Sequence, residues 1–456
     1  MTLGRSRLRL AGRDRSRDRS RKAWAALAGG DFVAVNRRGF LAGAGASLLA
    51  LAGCTSPQTT SPGRLTLWYW TRGLSDNVLD EARARFADAR FNPSNVGHNL
   101  RHRLLAAISG DAYIPDITML NDDIAGYFED ADQFIDLNTL GADRFKDQYL
   151  PWKWQAGTTP DGKLLGFPID TGPAALFYRH DLFQQAGFPS EPDDVARAVS
   201  TWDQYFAFSE EIQKALPGRY MITDAKTVFT YSIAQEPQKF LDRQHHYIGD
   251  QAHVQLAWDR ALTAVRKGLT AGLVDTGQES GSVDRHAAWS NGKELSLVNA
   301  SWITGEIKES APKTAGAWRI CRSPGGAANQ GGSFMALTSH CADPQKAFEI
   351  VSWVLSPANQ ARHYVDAGLF PSAPGAFDDP LMRQPDPFFG GQVTVDVFGQ
   401  AAKEVKPAYF SPQDIDISNI ITDELVNVES AGKDPGQAWR DAQRSITRLL
   451  QRRGVL

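Results

Sequence analysis

The stretch Leu164–Tyr178, LLGFPIDTGPAALFY, is the part of the sequence that says most about the fold. It holds two apolar, β-like runs on either side of Asp170-Thr171-Gly172-Pro173. Leu65–Trp70 (LTLWYW) and Ile114–Leu120 (IPDITML) are further short runs of largely apolar character, and each is followed by polar residues. Short apolar runs of this kind, bounded by glycine or by polar turns, predict buried β-strands.

Amphipathic helices are predicted between and after these strands. Ser75 is placed to cap one helix, and Asp343-Pro344 and Asp434-Pro435 each combine a capping residue with proline at the first helical position. The apolar faces predicted for the three helices are Val78, Leu79, Ala82 and Phe86; Phe348, Val351, Val354 and Leu355; and Ala438, Trp439, Ala442, Ile446 and Leu449. Alternating strands and helices predict an α/β fold with mostly parallel sheets flanked by helices.

The N-terminal region resembles an export signal. Residues 39–53 are uncharged and largely apolar, and they follow Arg37-Arg38 directly. Basic residues, a short apolar run and small residues are typical of a secretory leader, here residues 1–53. Leu51–Cys54 resembles a bacterial lipobox, which implies a lipid such as palmitate on Cys54, and Asn36–Leu41 resembles the twin-arginine export motif. An ordinary signal peptide is the alternative.

Residues 55–63 (TSPQTTSPG) predict a flexible tether between this anchor and a folded body that begins at Arg64. We therefore expect an exported protein, held by its lipid at the outer face of the bacterial cytoplasmic membrane. About 400 residues follow the leader, which is more than one hydrophobic core usually supports, so two domains are expected.

The charge of the chain changes once the leader is removed. The 456 residues include 49 basic and 52 acidic side chains, a formal net charge of −3. Residues 1–38 hold 11 basic and 3 acidic side chains and residues 39–53 hold none, which leaves 38 basic and 49 acidic side chains and a net charge of −11 from Cys54 onward. Nucleic acid repels an acidic protein, so we expect no nucleic-acid partner.

The sequence contains no catalytic or cofactor-binding motif. It has no Gly-x-Ser-x-Gly, no His-Glu-x-x-His, no phosphate-binding glycine loop and no Cys-x-x-Cys. Asp414 and Asp416 alternate in a strand-like segment, which favours a solvated strand edge over a calcium site. We expect neither a metal nor a cofactor. For Cys321 and Cys341 the sequence leaves open a disulfide or two separate thiols.

Aromatic and polar side chains recur where predicted strands end. Trp68–Arg72, Asn121–Asp123, Asp170-Thr171, Asn299–Trp302 and Phe370–Ser372 all follow apolar runs. Sheets of α/β domains bind ligands at the carboxyl ends of their strands. Sugars place C–H faces on aromatic rings and donate hydroxyl protons to carboxylates and amides. The five segments therefore predict a carbohydrate site.

Over residues 64–456 the chain resembles an extracellular solute-binding protein of an ABC importer, of the maltose-binding, carbohydrate type. The resemblance rests on the order and spacing of LTLWYW, IPDITMLNDDIAGYFEDADQFIDL, LLGFPIDTGPAALFYRHDLFQQAGF with WDQY downstream, HAAWSNGKELSLVNASWITGEI, GGSFMALTSHCADPQKAFEIVSWVLSPANQ and GLFPSAP. It implies two α/β lobes joined by hinge strands, with the ligand in the cleft between them. Lobe one would comprise residues 64–172 with 332–376, and lobe two residues 173–331 with 377–456.

The resemblance also implies a set of ligand contacts and partners. The contacts are Tyr69, Trp70, Arg72, Asn121, Asp122, Asp123, Asp170, Thr171, Tyr231, Trp302, Gly331, Gly332 and Ser333, with Tyr409 and Phe410 as further aromatic candidates. The protein would bind a carbohydrate without covalent chemistry, as a monomer, and deliver it to the transmembrane subunits of a permease with their cytoplasmic ATPase. Cys321 and Cys341 would lie on different lobes, which argues against a disulfide.

Two alternative functions remain open. Glycerol 3-phosphate or a glycerophosphodiester would need a cation or clustered amides, for which the sequence offers Arg72 and the amides of Gly331–Ser333. A secreted glycoside hydrolase would need paired carboxylates, for which Asp122 and Asp170 are candidates.

Overall fold

The computed structural model describes residues 64–97, 99–273 and 279–456. The twin-arginine motif, the lipobox with Cys54 and the tether lie outside the described residues. Within the described ranges no helix has the length and apolarity needed to cross a bilayer. The described residues from 64 to 456 belong to a single compact unit, and its hydrophobic cores are built from residues between Leu65 and Leu450.

Ten strands form three sheets among the described residues. The strands are β1 Thr66–Tyr69, β2 Asn92–Asn95, β3 Ile117–Leu120, β4 Phe167–Pro168, β5 Asp170–Thr171, β6 Ala174–Arg179, β7 Ser296–Ala300, β8 Trp318–Arg322, β9 Phe334–Leu337 and β10 Phe370–Pro371. Their order is β2-β1-β3-β9-β4 in a five-stranded sheet, β7-β6-β8 in a three-stranded sheet, and β10-β5 in a two-stranded ribbon.

Fifteen α-helices and eight short 3-10 helices surround the sheets in the described ranges. The α-helices are α1 Asp76–Arg85, α2 Leu100–Gly110, α3 Pro151–Ala156, α4 His180–Gln185, α5 Pro192–Ala198, α6 Trp202–Ala215, α7 Ala225–Ala234, α8 Ala252–Arg266, α9 Glu279–Asn291, α10 Ile303–Ser310, α11 Pro344–Val354, α12 Pro357–Ala367, α13 Thr394–Glu404, α14 Asp414–Ala431 and α15 Pro435–Arg452. The 3-10 helices are Ala87–Ala89, Ile124–Tyr127, Ala131–Gln133, Leu137–Leu140, Ala142–Gln148, Pro312–Thr314, Pro374–Ala376 and Pro387–Phe389.

The helix caps follow the sequence closely. The Ser75 hydroxyl accepts a hydrogen bond from the Val78 amide, and the carboxylates of Asp343 and Asp434 accept from amides three residues on. Proline fills the first helical position after both aspartates, where its missing N–H is not needed. The three predicted N-termini are therefore confirmed.

The first lobe is built around the five-stranded sheet. β1 pairs parallel with β2 and β3, as predicted, whereas β9 runs antiparallel to both β3 and β4. All four side chains of β3 are buried, and the one polar residue, Thr118, donates its hydroxyl to Met119 O at 3.2 Å. Helices α1 and α11 place Leu79, Phe348 and Val351 in the core on this sheet.

The second lobe is built around β6, which is buried along its whole length. Ala174, Leu176 and Tyr178 enter one core with α6, α7, α8, α14 and α15, and Ala175 and Phe177 enter another with α10 and α13. This alternation is the two-residue period of a strand between two apolar layers.

Two expectations about strands are wrong. β6 pairs antiparallel with β7 and β8, so the mostly parallel arrangement does not hold in this sheet, although single parallel bridges join Tyr220 to Glu294 and Ile222 to Thr270. Asp414 and Asp416 begin helix α14, where acidic residues suit the positive end of the helix dipole.

Backbone hydrogen bonds tie the two crossing segments of the hinge together. The segment after β4 runs beside the segment before β9, and the Ile169 amide donates to Ser333 O at 3.0 Å. Gln330 donates its amide to Gly172 O at 2.9 Å, and the Gly172 amide donates to Asn329 Oδ1 at 2.8 Å. β5 pairs antiparallel with β10 as a third strand at this crossing.

The disulfide between Cys321 and Cys341 is not formed. Both are free thiols. Cys321 is buried in the core of the second lobe, whereas Cys341 packs against the core of the first. Their positions in separate cores explain why the pair does not bridge.

Candidate ligand-binding cleft

A cavity of about 280 Å³ lies between the two lobes. The first lobe contributes the loop after β3, the hinge contributes Gln330, and the second lobe contributes α7, α14 and the segments before them. Its lining residues are Asp122, Asp123, Ala125, Lys226, Thr230, Ile233, Lys239, Phe240, Gln330, Phe410, Ser411, Pro412, Asp414, Ile415, Ser418, Asn419 and Thr422. The cavity therefore combines carboxylates, hydroxyls, an amide and aromatic rings.

A second hollow of about 220 Å³ shares Phe410 with this cavity. Phe128 and Pro160 line it from the first lobe, and Arg243 and Tyr409 line it from the second. The Arg243 guanidinium lies 5.5 Å from the Tyr409 ring centroid, and Lys239 Nζ lies 4.6 Å from that of Phe410. These contacts hold the two aromatic candidates from the sequence at the junction of the hollows.

The loop after β3 presents its carboxylates to the cavity. Asp122 Oδ2 accepts a hydrogen bond from the Gly331 amide at 3.1 Å, which joins the first lobe to the hinge. Asp123 is ion-paired with Arg101, and its other oxygen, Oδ1, is buried with no hydrogen-bond donor among the described residues. A buried carboxylate oxygen without a donor is costly, so a donor supplied from the cavity would stabilise this oxygen. Asn121 is exposed beside them.

The hinge holds a buried charge pair behind the cavity. Asp170 Oδ1 accepts from the Ser333 amide at 2.7 Å and also from the Ser333 hydroxyl. Lys153 is 2% exposed, and its Nζ lies 3.5 Å from the Phe334 ring centroid. Burial lowers the pKa of Lys153 to about 8, against the opposing effect of the Asp170 and Asp122 charges. Burial raises the pKa of Asp170, and Lys153 opposes that shift.

Trp302 and Arg72 lie where the lobes approach each other. The Trp302 side chain is 40% exposed, and its indole N–H donates to Gln330 O at 3.3 Å. Arg72, from the loop after β1, pairs with Glu309 of α10 at 2.8 Å and lies against Gly305. Arg72 has φ of 64°, a left-handed backbone that is unusual for a residue other than glycine. The ion pair joins the two lobes directly.

Several residues from the predicted set are engaged inside the protein. Tyr69 is 7% exposed, and Thr171 is 1% exposed with its hydroxyl directed at backbone oxygens of β10. Tyr231 is buried and donates to Asn299 Oδ1 at 3.0 Å. Trp70 is half-buried against the core of the first lobe. The structure does not bring these four side chains to the cavity.

Gly331 and Gly332 shape the hinge beside the cavity. Gly331 and Gly332 have φ of 87° and 89°, and a Cβ on Gly332 would lie 2.8 Å from Asp170 O, so the close crossing of the strands requires glycine there. Lys226, Lys239 and Gln330 also line the cavity, although the sequence did not predict them as ligand contacts. None of the three belongs to a recognisable motif. For Lys153, the unusual placement between Trp152 and Trp154 was an available signal.

The comparisons with known proteins agree with this architecture. The family model described as "Bacterial extracellular solute-binding protein" matches residues 90–387. The chain is 24% identical over 359 residues to the lactose-binding protein of Rhizobium radiobacter, which covers 72% of this chain and 80% of that protein.

Solved structures show the same two-lobed fold. One is the crystal structure of an extracellular solute-binding protein of family 1, with a TM-score of 0.75, 25% identity, and coverage of 84% of this chain and 98% of that chain. Another is the ABC transporter associated binding protein of B. animalis subsp. lactis Bl-04 in complex with β-1,6-galactobiose. It has a TM-score of 0.68, 21% identity, and coverage of 86% and 99%. At this identity the second likeness concerns the fold alone.

Proposed function

Because the chain belongs to the family of bacterial extracellular solute-binding proteins, we propose that it captures a carbohydrate between its lobes and delivers it to an ABC permease. The family is one of binding proteins and is extracellular, so the expected action is capture and release outside the cytoplasm. The lactose-binding relative supports a sugar as the ligand.

The observation that carries this proposal is the chemistry of the cavity wall. Asp123 Oδ1 is a buried acceptor without a donor, and Asp122 stands next to it. Sugar hydroxyls donate readily to carboxylates, and such charge-assisted hydrogen bonds are roughly twice as strong as neutral ones. Phe240 and Phe410 line the same cavity and provide faces for sugar C–H groups.

The charge balance of the cavity favours a neutral or amino sugar. Three carboxylates, from Asp122, Asp123 and Asp414, line it together with two amines, from Lys226 and Lys239. Because Asp123 is ion-paired with Arg101, two carboxylates and two amines remain, which leaves no surplus of positive charge for a dianionic ligand. The second hollow around Phe410 adds room for another ring, and we propose a disaccharide or a longer sugar as the ligand.

The remaining expectations form part of the same proposal. We propose that Cys54 carries the lipid anchor and that the chain leaves the cytoplasm by the twin-arginine route. It would act as a monomer beside the transmembrane subunits of the permease, whose cytoplasmic ATPase drives import. We also propose that the lobes meet at residues 172, 331 and 376. Of the predicted ligand contacts, we propose that Asp122 and Asp123, which line the cavity, touch the sugar.

A phosphate-bearing ligand is the second candidate because Lys226 and Lys239 both line the cavity. These two amines, rather than Arg72, would face the phosphate, since Arg72 is paired with Glu309. Glycerol 3-phosphate and glycerophosphodiesters are therefore included in the test.

The test is a thermal-shift screen of residues 59–456 against mono- and disaccharides, amino sugars, glycerol 3-phosphate and glycerophosphodiesters. A ligand at 100 times its Kd adds about 2.7 kcal/mol of stability, which a melting curve resolves. A shift with neutral or amino sugars supports the proposal. A shift with phosphate compounds alone would refute the sugar assignment. Reducing ends released during a prolonged incubation with the bound sugar would show that the protein is a hydrolase.

One substitution separates the two ligand classes by the sign of its effect. Asp122→Asn keeps the shape of the side chain and removes its charge. We expect sugar affinity to fall about fivefold, since a charged acceptor contributes roughly 1 kcal/mol more than a neutral one. An anionic ligand would bind more tightly to the same variant. Asp132→Asn, an exposed aspartate of the same lobe outside the cavity, is the matched control.

A further inference from the structure

The last helix, α15, carries a regular row of arginines on its exposed side. Arg440, Arg444, Arg448 and Arg452 follow one another every four residues, and all four are exposed. We call these four residues the arginine ladder. The opposite side of the helix is buried in the core of the second lobe through Ala438, Ala442, Ile446, Leu449 and Leu450.

Among the described residues Arg440, Arg448 and Arg452 form no ion pair, whereas Arg444 pairs with Asp441. Asp441 is the acidic residue of α15, and its carboxylate is shared between Arg444 and Lys433 of the preceding loop. From residue 442 to residue 456 the sequence has no acidic side chain. Asp416 of α14 approaches Arg453 at 3.6 Å, and Arg453 is still 55% exposed.

Helix physics does not account for all four arginines. Like charges four residues apart on a helix repel each other, and the ladder contains three such pairs. The helix dipole favours cations in the last turn, which concerns Arg452 and, more weakly, Arg448. Arg440 and Arg444 lie too far from the C-terminus for this effect. The repulsion along the row is relieved when an anionic surface faces it.

The ladder is long, and it does not border either of the two cavities. The four arginines extend over about 18 Å of helix axis. No α15 residue lines the cavities described above, and the apolar face of the helix is buried. Binding through the ladder therefore uses charge on a surface, without insertion of the helix and without a pocket for one small ligand.

We propose that the arginine ladder docks α15 on the anionic phospholipid headgroups of the membrane. The rest of the chain favours this partner over a free anion. The predicted tether spans the ten residues from Cys54 to Gly63, and ten extended residues reach at most about 35 Å, which keeps the body near the bilayer. The chain from Cys54 onward has a net charge of −11, so a basic face orients an otherwise acidic body toward the anionic surface.

The test is cosedimentation of residues 59–456 with phosphatidylcholine vesicles prepared with and without phosphatidylglycerol. This part of the chain lacks the leader and the lipid, so binding reports the folded body. We expect binding to the anionic vesicles that falls as salt rises. Arg448→Gln with Arg452→Gln should weaken it about 25-fold, since each arginine near an anionic surface contributes about fivefold.

The control pair is Arg103→Gln with Lys313→Gln, which removes the same charge from two exposed residues elsewhere. Equal loss in the ladder pair and the control pair would refute the proposal, as would equal binding to both kinds of vesicle. A second outcome would also overturn the proposal. If the protein binds neutral vesicles that contain the permease, and the ladder pair alone weakens this binding, then the ladder contacts an acidic protein surface and not phospholipid. Sugar affinity should be unchanged in the ladder pair, so this test and that of the proposed function fail independently.

Discussion

Gly172→Ala is the perturbation that tests the hinge most sharply. Gly172 lies where the strand leaving the first lobe crosses the segment returning to it. A Cβ at this position would overlap the Gln330 carbonyl oxygen and would lie 2.8 Å from its carbonyl carbon. Both are backbone atoms, so no side-chain rotation relieves the overlap.

The magnitude follows from the hydrogen bonds that the crossing holds. Ordinary carbon contacts are about 3.5–4 Å, so the two segments must separate by about 1 Å. The bonds Gln330 N to Gly172 O, at 2.9 Å, and Gly172 N to Asn329 Oδ1, at 2.8 Å, are then lost. At roughly 1 kcal/mol each, with a further penalty for the unpaired groups, the loss is about 3 kcal/mol.

The assay is thermal unfolding of residues 59–456. With an unfolding entropy of about 2.1 cal/mol/K per residue over roughly 400 residues, 3 kcal/mol corresponds to a Tm lower by about 4 °C. Gly110→Ala is the matched control because no atom lies within 4 Å of its Cβ and its φ is negative. We expect the control to be unchanged or slightly more stable. A Gly172→Ala variant as stable as the control would refute the hinge geometry.

Three further predictions concern closure, pH and the ligand. A double-mutant cycle of Arg72→Ala and Glu309→Ala on carbohydrate Kd should give about 0.5–1 kcal/mol of coupling at low salt and none at high salt, since the pair is exposed; no coupling at low salt would contradict a role of this ion pair in closure of the lobes. Burial raises the pKa of Glu294 from 4.5 to about 7, so the stability that its bound proton contributes is lost as pH rises from 4.5 to 7. Relative to Glu294→Gln, the wild type should therefore lose about 3 kcal/mol over that window in denaturant unfolding, and parallel pH profiles would contradict the assignment. Tyr409→Ala should weaken a disaccharide by about 1 kcal/mol in calorimetric titration and leave a monosaccharide unaffected, since Tyr409 lines the second hollow and not the main cavity; equal loss for both sugars would show that Tyr409 does not form a second subsite.

Local signals made part of the structure predictable. The caps at Ser75, Asp343 and Asp434 depend on residues three positions apart, and all three helices begin where the sequence indicates. Strand β6 could be predicted because a short apolar run after a glycine-proline turn is typical of a buried strand.

The pairing of strands and the packing of helices that are distant in the sequence could not be predicted. The direction of β6 relative to β7 depends on where the chain crosses between lobes, and no local pattern records it. Asp414 reads as part of an alternating segment, yet its place at the start of α14 is fixed by packing of that helix on α7 and α15.

In the candidate site, too, local patterns could be predicted and contacts between the lobes could not. The loop with Asp122 and Asp123 was identified because polar residues follow a buried strand. Arg72 was expected to face the ligand, and its partner Glu309 comes from the other lobe. Lys226 and Lys239 reach the cavity from the second lobe without a motif, so their contribution could be seen only in the folded chain.

The measurement that tests the central claim most directly is a crystal structure of residues 59–456 grown with the carbohydrate that gives the largest thermal shift. We expect a sugar between the lobes, with a hydroxyl donating to the carboxylate of Asp122 or Asp123 and a ring against Phe410. Sugar bound elsewhere on the protein, or a cavity filled only by a phosphate compound, would contradict it.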